Sequence, residues 1–199
     1  IGEGWCDKPF VARSVVNISG MSYGAISKPA VRALSRGAAE AGCWLDTGEG
    51  GLSPYHLEGG CDIIMQIGTA KYGVRDADGK LSPQRLQELA AHENVRAFEI
   101  KLSQGAKPGK GGVLPGGKVT AEIAAIRGVP EGQDCLSPAA HSAFATPIEL
   151  LAFVDRLRTL SGGKPTGFKL CVGHPWELLG IVKAMLQTGI TPDFIVIDG

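Results

Sequence analysis

The sequence predicts an α/β fold: a (β/α)8 barrel of the TIM type, incomplete here, with about seven strands present in a single domain over residues 1–199. Two observations carry this reading. Short apolar runs alternate with amphipathic helical segments along the whole chain, the pattern of a parallel sheet joined by right-handed crossovers. The loops that carry unusual residues all follow strands rather than precede them. Barrels and open parallel sheets both bind ligands at the carboxyl ends of their strands. Polar or small residues end six of the seven strands, as a ring of sites requires, and this favours the closed barrel.

The elements follow in order. Residues 14–18 (SVVNI) read as the first strand and run into the loop from Ser19 to Gly24. Ser27 caps a helix with Pro29 in its first turn; Ala30, Val31, Leu34, Ala38 and Ala41 keep helical spacing and Gly42 ends it. Residues 43–47 (CWLDT) form the second strand and empty into Gly48-Glu49-Gly50-Gly51. Residues 61–67 (CDIIMQI) form the third and empty into residues 68–73. Ser82 and Pro83 open a helix with Leu86, Leu89 and Ala90 on one face. The fourth strand, AFEIKL at residues 97–102, carries Glu99 and Lys101 on a single face, and buried charge needs compensation. It runs into a loop holding six glycines and Lys107, Lys110 and Lys118, which reads either as an anion or cofactor site or as a salt bridge followed by a floppy loop. A helix spans residues 119–127, and residues 135–137 make a weak fifth strand. Thr146 and Glu149 form a capping box around Pro147, opening a helix with an apolar stripe of Leu150, Leu151, Val154, Leu157 and Leu160. Residues 166–172 form the sixth strand, with Lys169 inside it. A helix over residues 175–188 closes at Gly189, and residues 192–199 form the seventh strand.

Composition narrows the class. Hydrophobic residues make up 44% and charged residues 20%, ordinary for a soluble globular protein. The formal net charge is +0, so no field argues for nucleic acid or an anionic membrane. The five cysteines are odd in number and lack C-x-x-C spacing, which argues against disulfide or zinc frameworks and predicts no metal site. Cys43, Cys61 and Cys171 read as small buried residues. With no apolar run near ~20 residues and no signal peptide, a cytoplasmic location is expected. The chain begins at Ile1, and it reads as a piece of something longer.

Several loops together resemble a family. Met21-Ser22-Tyr23-Gly24-Ala25-Ile26-Ser27, Thr47-Gly48-Glu49-Gly50-Gly51 and Glu99-Ile100-Lys101-Leu102-Ser103-Gln104-Gly105-Ala106-Lys107-Pro108-Gly109 look like the FMN-binding synthase domain of glutamate synthases, nearest to its short bacterial members. Gln66-Ile67-Gly68-Thr69-Ala70-Lys71-Tyr72-Gly73-Val74 and Leu136-Ser137-Pro138 resemble two more of its motifs, and Lys169 stands at a strand-borne lysine. The resemblance implies FMN at the carboxyl ends of the strands. It implies reductive amination of 2-oxoglutarate to glutamate, through 2-iminoglutarate, with ammonia or glutamine-derived ammonia. It also implies an iron–sulfur cluster and an electron donor protein or NAD(P)H-linked subunit. The family's phosphate loop, eighth strand and cluster cysteines follow the segment matched here, so these residues by themselves are expected to be inactive and to bind FMN weakly or not at all. Lys71 stands where the larger enzymes carry Arg, and an ammonium does not fork onto a carboxylate as a guanidinium does.

The resemblance assigns roles residue by residue. Met21, Ser22, Tyr23, Gly24, Gln66, Gln104 and Lys169 hold the flavin; Lys71, Lys101 and Gln104 hold substrate; Lys101 and Glu49 are catalytic, with Glu49 handling protons. Plainer readings stand beside these: Lys169 paired with Glu99 or Asp198, Lys101 paired with Glu99, Glu49 a solvated loop residue, His141 a surface loop residue. The alternatives are another FMN barrel, acting on a 2-hydroxy acid or a nucleotide, and a non-catalytic barrel fragment. Unclosed strand edges suggest a homo-oligomer.

Overall fold

A computed structural model describes residues 1–107 and 109–199; Pro108, in the Gly-rich loop and in the last motif quoted above, lies outside the described residues. Five strands form one parallel sheet. They are β1 (Leu45–Asp46), β2 (Ile63–Ile67), β3 (Val95–Lys101), β6 (Thr166–Leu170) and β7 (Ile195–Ile197), in the spatial order β1-β2-β3-β6-β7. A separate antiparallel ribbon pairs β4 (Val113–Leu114) with β5 (Cys135–Leu136). The helices are α1 (Lys28–Ala41), α2 (Pro54–Leu57), α3 (Pro83–Ala90), α4 (Ala121–Arg127), α5 (Pro147–Leu160) and α6 (Pro175–Thr188). Local chemistry starts them. Ser27, Ser53, Ser82, Thr120 and Thr146 each accept a backbone N–H at a helix N-terminus, and the first residue of α2, α3, α5 and α6 is proline.

The sheet curls into a half-barrel. Its outer face packs the main core, in which Ile63, Met65, Phe98, Ile100 and Phe168 meet Leu86 of α3 and Val154 and Leu157 of α5, all essentially inaccessible. Its inner face packs Ile64 and Ala97 against Phe10, with Ile1, Trp44 and Phe194 alongside. Trp44 precedes one edge strand and Phe194 the other, yet both line one cavity of about 290 Å³, so the two edges face each other across the interior.

Two of the seven predicted strands are corrected. Residues 14–18 contribute only an isolated parallel bridge, Ile18 to Leu45. Val15 is fully exposed and Val16 mostly so; the run has β-rich composition but no core to bury it against. Residues 135–137 do not enter the main sheet. Lys101 of β3 pairs directly with Lys169 of β6, so the place a fifth strand would take is already filled. That segment folds back onto β4 instead, and the Gly-rich loop after β3 is thus partly ordered as a ribbon and a short 3-10 turn at Gly116–Lys118. No helix among the described residues is long and apolar enough to cross a membrane.

Candidate active site

The carboxyl ends of β1, β2 and β3 open into a cavity of about 250 Å³. Met21, Ser22, Glu49, Gln66, Lys101 and Gln104 line it, together with Arg127, Gly112 and Ser137. Lys101, the last residue of β3, stands at its centre. Its ammonium donates to Glu49 Oε2 at 3.0 Å and to Gln104 Oε1 at 2.9 Å. The other Glu49 oxygen accepts from the Ser137 hydroxyl at 3.0 Å, a bond that reaches across from the ribbon. Glycines make room for this carboxylate: a Cβ on Gly68 would sit 2.7 Å from the Glu49 Cβ, and one on Gly112 would sit 2.2 Å from Glu49 Oε1. Lys101 therefore pairs with Glu49 rather than with its strand neighbour Glu99, and Glu49 is held rather than solvated.

Below the cavity floor lies a second polar layer. Gln66 donates to Glu99 Oε1 at 2.7 Å. Glu99 and Asp46 are both nearly inaccessible, and the Gly48 N–H donates to Asp46 Oδ1 at 2.7 Å. Burial raises the Glu99 carboxyl, and burial together with the Glu99 charge pushes Asp46 well above the usual range. Each carboxylate thus disfavours the charge on the other. Lys169, also on this inner face, pairs with Asp198 Oδ1 at 3.2 Å, and Gly105 N–H donates to the other Asp198 oxygen at 2.9 Å.

The remaining candidates lie elsewhere. Tyr23 and Gly24 sit behind the cavity wall. The Tyr23 hydroxyl donates to Glu122 at 2.6 Å; burial and that bond push it up to about 12. A Cβ on Gly24 would crowd Leu114, Ile123 and Arg127. Lys71 is 2% exposed and turned away from the cavity. Its ammonium donates to Ser142 Oγ at 2.8 Å and, at 3.4 Å, to the Thr69 and Gly79 carbonyls. It holds the loop after β2, where it takes a left-handed backbone at φ 55°, and burial lowers its pKa.

Residues 2–199 match the family model described as the conserved region in glutamate synthase. The chain belongs to the glutamate synthase family. It is 47% identical over its whole length to the glutamate synthase large subunit-like protein YerD of Bacillus subtilis (strain 168), covering 38% of that protein. It is 37% identical over 91% of its length to the archaeal glutamate synthase (NADPH) of Archaeoglobus fulgidus, covering 32% of it. A glutamate synthase large subunit-like protein of Rhizobium meliloti (strain 1021) is 30% identical over the whole chain, which covers 41% of it. The chain thus spans about two-fifths or less of the relatives it matches.

Three neighbours of the cavity were not among the site residues expected from sequence. Arg127 is 4% exposed and lines the cavity from the end of α4. It donates to the Tyr23 carbonyl at 3.3 Å, lies over the Tyr72 ring at 5.0 Å, and its Nε has no partner among the described residues. It shares the buried face of α4 with Ile123 and Ala124; a guanidinium on an apolar helix face was the available signal. Ser137 stood in the Leu136-Ser137-Pro138 motif, where the resemblance gave it no role of its own. His141, read as a surface residue, is 7% exposed, stacked on Phe144 with ring centroids 4.8 Å apart.

Proposed function

We propose that this chain forms the flavin- and substrate-binding half-barrel of a glutamate-synthase-type oxidoreductase, an enzyme that reductively aminates 2-oxoglutarate to L-glutamate on a complete (β/α)8 barrel. The observation that carries the reading is the meeting of Lys101 and Arg127 with Glu49 in one cavity. Two cations suit the two carboxylates of a small dicarboxylic acid, and a guanidinium with no carboxylate partner among the described residues is the better anchor. A carboxylate entering the cavity takes the place of Gln104 on Lys101. Glu49, fixed by Ser137 and Lys101, moves the proton at the C2 oxygen as ammonia adds and water leaves.

The residues fit a flavin ring. Gly20 and Gly48 form a bare backbone floor: a Cβ on Gly20 would come within 3.1 Å of Gln66 Nε2, and one on Gly48 within 2.7 Å of the Ser22 nitrogen. Gln66 and Gln104 offer amides to a polar ring edge, and Met21 and Ser22 supply a wall. FMN, when bound, would supply hydride; Lys169, on the inner face of β6 and paired with Asp198, would meet negative charge at the ring. An iron–sulfur cluster does not fit these residues, since no group of three or more Cys, His, Asp or Glu gathers as metal ligands among the described residues.

The test uses the whole protein, saturated with FMN and supplied with a chemical reductant, 2-oxoglutarate and ammonia. Glutamate formation is expected, and Lys101→Met and Arg127→Met are each expected to lower kcat/KM at least about 100-fold, since the first strands the Glu49 carboxylate and the second removes the guanidinium proposed to anchor a substrate carboxylate. The absence of glutamate, or turnover of a 2-hydroxy acid instead, overturns the reading.

A further inference from the structure

We infer that His141 is a positioning residue for Lys101. The register of β2 on β3 ends at the pair Ile67–Ile100, so Lys101 lies one residue past the ladder on that side. On the other side β3 is still tied to β6, with Leu102 N–H donating to the Lys169 carbonyl at 2.8 Å. The Lys101 carbonyl is met instead by the imidazole of His141, whose Nε2–H donates to it at 2.9 Å. A side chain takes the place of the missing strand bond. The consequence is geometric. Fixing the carbonyl fixes the last peptide plane of β3, and with it the direction in which the Lys101 stem leaves the strand toward Glu49 and Gln104.

The ring is itself held. It stacks on Phe144 and packs against Phe153, with a centroid distance of 6.4 Å to the latter. Because Nε2 faces a carbonyl it must carry the hydrogen, and in the neutral ring Nδ1 is then a bare acceptor. Nδ1 has no partner among the described residues, so a second proton there would be stranded. The site thus depends on a neutral imidazole of one tautomer, supplied by the segment that links the ribbon to α5. Nothing in this geometry places His141 against substrate; its effect passes through Lys101. The inference rests on the proposed role of Lys101 for its catalytic consequence, but not for the contact itself.

Gln and Asn separate the two ring nitrogens. The Gln amide nitrogen reaches where Nε2 sits, and the Asn amide only where Nδ1 sits. In the whole protein, His141→Leu is expected to raise KM for 2-oxoglutarate about tenfold with a smaller loss of kcat; His141→Gln restores KM to within about threefold and His141→Asn does not. Equal losses for Gln and Asn, or an unchanged KM in the Leu variant, overturn the inference. If His141→Leu does not fold, the Gln and Asn pair carries the comparison. Hydrogen exchange of residues 99–104, read with no substrate present, is expected to quicken in the Leu and Asn variants and return to wild-type rates with Gln. That readout decides the role of His141 even where the unmodified protein makes no glutamate, an outcome that would sink only the proposed reaction.

Discussion

Two buried histidines do the same work at this site. His56 Nε2–H donates to the Met21 carbonyl at 3.0 Å while its Nδ1 accepts from Ser53, and His141 holds the Lys101 carbonyl in the same manner. Each ring must stay neutral to keep its tautomer. Burial lowers the pKa of both; for His141 burial is the largest cause, the nearby Lys71 ammonium adds to it, the Lys101 carbonyl and Glu49 oppose it, and the value falls to about 4. The unfolded ring titrates near ~6.5. Above pH ~6.5 both states are neutral and the histidine has no pH-linked effect. As pH falls through the window from ~6.5 to about 4 the unfolded chain takes up the proton first, so stability is lost, by up to about 3 kcal/mol for His141 alone. Because other carboxylates also titrate there, the check is a comparison. Unfolding midpoints measured from pH 7 to 4 should fall less steeply in His141→Gln than in the unmodified protein, and parallel curves would remove His141 from the account.

At the scale of elements, Lys164 joins three of them. It precedes β6, and its ammonium donates to the carbonyls of Ala90 at 2.6 Å and His92 at 3.1 Å, and to that of Val95. These carbonyls close α3 and open β3, so one side chain caps a helix C-terminus and binds it to two strands. Lys164→Met keeps the stem and removes the donors. It is expected to cost at least about 2 kcal/mol, read as a lower urea midpoint with an unchanged slope; an unchanged midpoint would show that water replaces the ammonium. The sequence carried most of these elements because their signals are local. Ser27, Ser82 and Thr146 with the prolines after them placed three helix starts to the residue, and Gly42 and Gly189 placed two ends. The apolar runs of β2, β3 and β6 were equally plain. The ribbon was not legible: each of its strands is two residues long, and its pairing follows from β6 having taken the neighbouring place on β3. The cavity divides the same way. Glu49, Gln66 and Lys101 stand at strand ends, which sequence locates. Arg127 arrives from a helix end, and Ser137 and His141 from the one loop between β5 and α5, and only the tertiary fold brings them there.

At the scale of the whole sheet, the described residues leave both edge strands without a strand neighbour on one side. In the sheet order, β1 and β7 are terminal, and β1 is partly shielded by the bridge from Ile18. Among the described residues no such bridge covers β7. Ile195 is 39% exposed and Ile197 56% exposed, and the neighbouring α6 shows Trp176, Leu179 and Leu186 to solvent. An apolar edge strand beside an apolar helix face offers both ladder hydrogen bonds and buried area to whatever docks there. Strand edges of this kind in a protein are paired, covered or blunted by charge, and β7 carries no charge within its three residues (IVI). Expressed as these 199 residues, the chain is therefore expected to self-associate at tens of micromolar, through β7 rather than through the charged faces of α1. Ile197→Lys places a charge on the edge without touching the candidate site, since Ile197 does not line that cavity. Light scattering should show the average mass of the variant falling toward a single chain of 20.7 kDa at concentrations where the unmodified chain is larger. A change of salt should matter little, because the contact is apolar. Association that persists in the variant and weakens with salt would instead place the contact on charged surface and leave the β7 edge without the role argued for it.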